Sequence, residues 1–293
     1  MGFGDRLARS WRLGKESWAV LRANPTFMLF PVISTLVLVV VMAATAGAGV
    51  ALFPGLVDDA SSGSTSNAAG LVVLFVFYLI SYTVMIFFNT ALVSAVLTYM
   101  DGDAPSVGGA LALARSRITA IVGYAAIAAT VGVLLSVLRE RGGIAGAIAS
   151  LIGNVAWNFA TYFVAPVLAA EGVGPVEAIK RSSGLFRRTW GEQIASGIGL
   201  GIFGFIIMLP ALIIGGGIIL VGFATGSIAG VIPAVIIGGL IIALAATMLA
   251  TLGTIFRAAL YRYATAGEFV PGFDADLIRN AFTPKEPRGA RGF

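Results

Sequence analysis

The sequence contains no cysteine and no histidine. Without cysteine the chain has no disulfides, thiolate metal sites or cysteine nucleophiles. Without histidine it lacks the commonest general base and the usual ligand of zinc and haem. A phosphate-cradling Gly-Lys-Ser/Thr loop and a Gly-x-Ser-x-Gly nucleophile elbow are also missing. We therefore predict a protein that is not an enzyme and that holds no metal or cofactor.

Charge is also scarce, because 11% of the residues are charged whereas 58% are hydrophobic. A soluble core cannot hide so large an apolar fraction. Each of six uncharged apolar runs reaches the ~20 residues that a helix needs to cross a bilayer, at about 27–50, 70–98, 118–138, 143–170, 194–223 and 228–256. The sequence predicts an all-α polytopic membrane protein with six transmembrane helices.

The basic residues are distributed unevenly between the two sides of the predicted membrane. Of the 19 Lys and Arg residues, Arg139 and Arg141 alone fall on one side. The positive-inside rule then predicts that both termini are cytoplasmic. We expect a multi-pass protein of the cytoplasmic (inner) membrane.

A short pattern precedes each of the three predicted pairs of spans. Leu7-Ala8-Arg9-Ser10, Leu113-Ala114-Arg115-Ser116 and Ile179-Lys180-Arg181-Ser182 share the order aliphatic, any residue, Arg, Ser, with an aromatic residue nine positions after each Arg. On a helix, the aliphatic and aromatic positions lie within about 20° of one face. Both can enter the apolar layer while the Arg stays among the headgroups. The pattern predicts cytoplasmic amphipathic helices in the membrane surface.

The same pattern divides the chain into repeated units. We predict one six-span domain, 1–268, made of units 1–100, 104–170 and 174–268, each an amphipathic helix followed by two spans. A weaker copy around Arg279 opens a C-terminal amphipathic segment and tail, 269–293, that closes the domain. The acidic pair Asp101 and Asp103 is interpreted as a turn at a helix exit.

Anionic membrane lipids are the predicted partners, because the basic residues adjoin membrane spans and no nucleic-acid-binding motif accompanies them. The residues predicted to bind lipid headgroups are Arg9, Arg115, Lys180, Arg181, Arg187 and Arg188. The predicted interfacial anchors are Trp11, Trp18, Tyr124 and Trp190.

Three asparagines, Asn89, Asn154 and Asn158, lie inside the predicted spans. Amides in hydrocarbon either hydrogen-bond neighbouring helices or line a wet cavity, and the sequence leaves both readings open. Asparagines that hydrogen-bond neighbouring helices are also compatible with a homo-oligomer. Pro166 predicts a kink in the fourth span, and Pro210 followed by Gly215-Gly216-Gly217 indicates either close packing or a broken fifth span.

The segment Glu177-Ala178-Ile179-Lys180-Arg181-Ser182, followed by Leu185 to Trp190, carries a resemblance to known families. The pattern of amphipathic helix, span and span resembles the uncharacterised six-span proteins grouped with the membrane domain of glycerophosphodiester phosphodiesterases and with the bacterial YciC-like proteins. The resemblance implies the fold, whereas in that family the phosphodiesterase activity belongs to a separate soluble domain.

Two functional classes follow from these features. The basic interfacial helices favour a non-catalytic protein that interacts with lipids or organises the membrane. The alternative is a channel or transporter for a small solute or lipid, supported by the intramembrane asparagines and the glycines of the fifth span.

Overall fold

The computed structural model describes residues 15–52, 68–190 and 198–266, and these contain helices and turns without a strand. A 3-10 turn, Pro25–Met28, follows the first helix. The helices are α1 (residues 15–23), α2 (Leu29–Leu52), α3 (Ala68–Met100), α4 (Val107–Ser116), α5 (Ile118–Arg141), α6 (Gly143–Ala160), α7 (Val164–Glu171), α8 (Pro175–Trp190), α9 (Ile198–Ala224) and α10 (Ile228–Ala266).

Six segments in the described ranges are long and apolar enough to cross a membrane, as the sequence predicts. The fourth is built from α6 and α7 together, and the others correspond to α2, α3, α5, α9 and α10. Exposed Leu, Ile and Val side chains cover much of these helices, which is the surface that lipid requires. The chain is therefore an all-helical, multi-pass membrane protein.

One compact unit comprises Leu29–Phe186. Within it α3 contacts α2, α4, α5 and α7, so α3 is its central helix. The helix α6 packs against α5 after a tight connection at Gly142 and Gly143, the second of which has a φ of +55°. Since α3, α5 and α6–α7 alternate in direction, the end of α3, the start of α5 and the end of α7 lie at one end of this unit. Arg139 and Arg141 lie at the other end.

The fourth span is interrupted between α6 and α7. Thr161–Phe163 form a turn, and Pro166 follows in the first turn of α7. A proline at this position cannot donate to the carbonyl of Tyr162, and its ring crowds that carbonyl. Where the sequence predicts a kink, the fourth span is therefore interrupted by a three-residue turn that precedes the proline.

The second unit comprises the described residues before Leu29 and after Phe186. Here α9 and α10 form a hairpin joined by Thr225–Ser227, with Gly226 at a φ of +66°. A Cβ at Gly215 would lie 2.6 Å from the carbonyl oxygen of Gly238, so the two backbones cross closely. The helix α9 continues through Pro210 and the three glycines. Gly215 thus serves close packing, and the described part of the fifth span is unbroken.

Candidate functional site

The junction between α4 and α5 lies against the junction between α7 and α8. Gly172 ends α7 in the left-handed conformation, with a φ of +64°, and the guanidinium group of Arg117 occupies the space that a Cβ at Gly172 would need. The ring of Pro175 similarly fills the space beside Gly123, where an added Cβ would lie 2.9 Å from Cγ of the proline. Two glycines thus allow the start of α8 to approach α5 closely.

Arg117 has an unusual environment for a cation at the end of a span. Its Nε atom is buried and has no hydrogen-bond partner within the described part of the chain. No carboxylate of the described residues pairs with its guanidinium group. An unpaired buried N–H of a charged group is costly, so the position of Arg117 calls for an explanation beyond the packing of the described residues.

Arg181, at the end of the second turn of α8, is held by two carboxylates. Its Nη1 lies 3.0 Å from Oε2 of Glu171, and its Nε lies 3.3 Å from Oε1 of Glu177. Because Glu171 directly precedes Gly172, the side chains of Arg117 and Arg181 contact adjacent residues of the α7–α8 junction. Arg181 remains about half exposed, so its ion pairs are screened by solvent.

Further cations lie close in sequence to Arg117 and Arg181. Arg115, Lys180 and Arg187 are exposed. Arg115 precedes Arg117 by two residues, and Lys180 precedes Arg181. We call the set Arg115, Arg117, Lys180 and Arg181 the junction cluster.

Ser182 attaches α8 to the break in the fourth span. Its Oγ atom accepts a hydrogen bond of 2.9 Å from the backbone N–H of Phe163, and the serine side chain is fully buried. The break frees this N–H from the helical pattern, and the serine satisfies it. In the other Arg-Ser pair that the structure describes, Ser116 is exposed and donates to the carbonyl of Leu113 within its own helix, at 2.7 Å.

The buried side of α8 packs on protein at the same break. Ala178 and Ser182 are both fully buried. The ring of Phe186 stacks on that of Phe159, with centroids 4.8 Å apart, and meets Tyr162 edge-on. Phe186 therefore contacts two rings of the fourth span.

The other predicted site residues are distributed as follows. Arg9 and Trp11 lie outside the described residues, and Arg188 and Trp190 belong to α8 but their side chains are not described. Trp18 is 41% exposed. Tyr124, a predicted interfacial anchor, is buried and stacks on Trp157, with centroids 6.3 Å apart.

The asparagines divide into two groups. Asn89 is half-buried in α3. Asn154 and Asn158 are exposed on α6, where Nδ2 of Asn158 donates to Oδ1 of Asn154 at 3.4 Å. The structure therefore brings these two amides together on the outside of the unit formed by Leu29–Phe186.

Sequence reasoning missed Arg117 and Gly172 as a pair. Arg117 was counted only as one of the basic residues between the second and third spans. The contact depends on which junctions lie together at the end of the unit, and a single sequence does not show this. The one available signal was the position of Gly172 between an acidic residue and Pro175 at a helix exit.

Comparisons with known proteins identify the chain only at the level of its family. A search of curated proteins gives no significant match. The family of unknown function DUF6159 matches residues 68–271, a range that contains the junction cluster, the break in the fourth span and the α9–α10 hairpin. Because this match covers well over half of the 293 residues, the chain belongs to the family of unknown function DUF6159.

Proposed function

We propose that this protein is a non-catalytic membrane protein that binds the phosphate groups of anionic phospholipids at the junction cluster. The observation that carries the proposal is the Arg117 guanidinium, seated against Gly172 with a buried and unpartnered Nε within the described residues. Arg117 as a whole is only half-buried, and a guanidinium group matches phosphate geometry with paired donors, so the part of it that reaches solvent can bind a phosphodiester oxygen.

The neighbouring residues support a surface ligand with a negative charge. Arg115 and Lys180 are exposed and lie within two residues of Arg117 and Arg181 in the sequence, and each basic residue near an anionic membrane contributes about 1 kcal/mol. Arg181 is held by Glu171 and Glu177, and its proposed part is to position the α7–α8 junction as well as to add charge.

The orientation belongs to the same proposal. With both termini cytoplasmic, the junction cluster faces the anionic leaflet of the inner membrane, and Arg139 and Arg141 face the other side. We further propose that α1, α4 and α8 are interfacial amphipathic helices of three repeated units, closed by the C-terminal segment. The relationship to the membrane domain of glycerophosphodiester phosphodiesterases and to YciC-like proteins is part of this proposal, resting on the shared order of helices.

The alternative, a channel or transporter, loses one of its arguments. A break at Pro210 and the following glycines would have resembled a substrate-binding discontinuous helix, but α9 is continuous there. The discontinuity in the described residues lies in the fourth span instead, and the Ser182 hydroxyl satisfies its freed Phe163 N–H.

The proposal is tested with the purified full-length protein in mild detergent by native mass spectrometry. Phosphatidylglycerol should be retained in preference to phosphatidylcholine, and Arg117→Gln should abolish that preference. Arg117→Lys should restore only part of it, because an ammonium group keeps the charge without the paired donors.

The matched control is Arg139→Gln, since Arg139 is exposed at the opposite end of the same helix. It should leave the preference unchanged. Equal retention of both lipids by the wild-type protein, or an equal loss in the Arg139 variant, would contradict the proposed site.

A further inference from the structure

One line of residues on α6 is exposed and regularly spaced. Ile144, Ala147, Leu151, Asn154 and Asn158 follow one another at intervals of three and four, and all five are exposed. This is the spacing of the seam between two helices that cross at a small left-handed angle, which is the commonest packing of transmembrane helices. We call these five residues the α6 seam.

The seam is separate from the face by which α6 packs on α5. That face consists of Gly146, Ser150, Gly153 and Trp157, which lie roughly a quarter to a half turn away. The absence of a side chain at Gly146 lets the carbonyl of Leu138 approach the helix, and Cδ2 of Leu135 lies 2.8 Å from the position of a Cβ at Gly153. The contact with α5 therefore leaves the seam uncovered.

The two amides lie deep in the apolar layer. Asn154 and Asn158 are 11 and 15 residues beyond Gly143, where the fourth span begins, which corresponds to about 16 and 22 Å along a helix. Each amide has two N–H donors and a carbonyl oxygen with two lone pairs. Among the described residues their only hydrogen bond is the mutual one of 3.4 Å, so most of this capacity is unused.

Lipid tails cannot supply the missing partners, but a second pair of amides can. An asparagine side chain donates and accepts, and is therefore complementary to another copy of itself. Polar side chains of this kind hold transmembrane helices together, and an asparagine in a seam fixes the register of the pair.

We propose that the α6 seam binds a second copy of this chain, with Asn154 and Asn158 hydrogen-bonded across the contact. Two copies with the same orientation in the membrane are related by an axis along the membrane normal, so their α6 helices run parallel. Each seam residue then faces its own counterpart in the other copy. The contact is independent of lipid binding by the junction cluster.

The chain contains no cysteine, so single cysteines report this contact without background. Leu151→Cys and Ile144→Cys are introduced separately into the full-length protein, oxidised in native membranes with copper phenanthroline, and separated on a non-reducing gel. Both should yield a disulfide-linked dimer.

The matched control is Ile152→Cys. Ile152 and Leu151 are both 64% exposed and are adjacent in sequence, but Ile152 points about 100° away from the seam. It should yield no dimer. A dimer from Ile152→Cys as abundant as that from Leu151→Cys, or none from either seam cysteine, overturns the proposal.

The role of the amides is tested in the Leu151→Cys background. Replacing both Asn154 and Asn158 with Leu should abolish the dimer while leaving the thermal stability of the protein unchanged, because these side chains face outward. Replacing Asn158 with Gln, which keeps the amide, should retain the dimer. A dimer that persists in the double Leu variant, or a double Leu variant that unfolds, overturns the assignment of these amides to a contact between copies.

Discussion

The hydroxyl of Ser182 in α8 accepts a hydrogen bond from the backbone N–H of Phe163, in the break between α6 and α7, at 2.9 Å. The two residues are 19 positions apart, so this bond joins a helix rich in cations to the interrupted fourth span. Both residues are fully buried, and the bond satisfies a backbone donor that the break has released.

Replacing Ser182 with Ala is expected to lower the free energy of unfolding by about 1–3 kcal/mol, because the N–H of Phe163 would be left buried without an acceptor. The measurement is thermal unfolding of the purified protein in detergent, followed by tryptophan fluorescence. Ser116→Ala is the control, since Ser116 is exposed and bonds only within its own helix. Equal losses of stability in the two variants would show that the bond between Ser182 and Phe163 contributes no more than the bond of Ser116 within its own helix.

Replacing Gly172 with Ala is expected to cost about 1–2 kcal/mol of stability for the left-handed backbone alone, and also to displace Arg117. Phosphatidylglycerol retention should fall together with the unfolding temperature. Gly174→Ala is the matched control, because a Cβ at Gly174 meets nothing within 4 Å and its φ is outside the left-handed range. Normal lipid retention by a folded Gly172→Ala protein would separate the glycine from the proposed headgroup site.

The glycines of α9 should respond differently to the same change. Gly215→Ala is expected to destabilise the α9–α10 hairpin by about 1–3 kcal/mol through overpacking, since its Cβ would lie 2.6 Å from the carbonyl oxygen of Gly238. A Cβ at Gly216 or Gly217 would have no atom within 4 Å. Gly216→Ala and Gly217→Ala should therefore each raise stability by about 0.5–1 kcal/mol through helix propensity. Thermal unfolding of the three variants checks the order, and destabilisation by all three would argue against a specific crossing at Gly215.

The orientation is tested with single cysteines at Ser64 and Ser116. Ser64 lies in the Ser-rich linker outside the described residues, and Ser116 is exposed at the end of α4. An impermeant thiol reagent should label Ser64→Cys in intact cells and Ser116→Cys only after permeabilisation. Ser182 would be a poor reporter of orientation, because its side chain is buried in the protein and a cysteine there would escape the reagent in either orientation. The reverse labelling pattern would invert the proposed topology.

The number and approximate limits of the span-length helices could be predicted because they depend on a local property, an uncharged apolar run longer than the membrane is thick. The effect of the prolines could not. Pro166 accompanies a complete break, whereas Pro210 lies inside a continuous helix. The freed N–H at the break has a hydroxyl acceptor in Ser182, 19 residues away, and such distant compensation is not visible in a local pattern.

The sequence was enough to predict that the candidate site consists of basic residues, but not which of them is half-buried at its centre. Arg115 and Arg117 look alike in the sequence, as basic residues before the third span. In the structure Arg115 is exposed, whereas the Nε of Arg117 is buried and its guanidinium lies against Gly172. That difference depends on the approach of the α7–α8 junction, and therefore on tertiary packing.

The helix α10 is longer than a bilayer with its headgroups is thick. Its 39 residues extend for about 58 Å, whereas a bilayer with its headgroups is about 45 Å thick. Containing the whole helix would need a tilt of about 39°, the upper limit for transmembrane helices. At the end that carries Arg257, the neighbours Ile255, Ala258 and Ala259 are almost fully buried, whereas Ile228, Ile232 and Ile236 at the other end are exposed. One continuous helix is thus exposed along the first part of its length and covered by protein along the last, so its final turns depend on tertiary contacts rather than on the membrane alone.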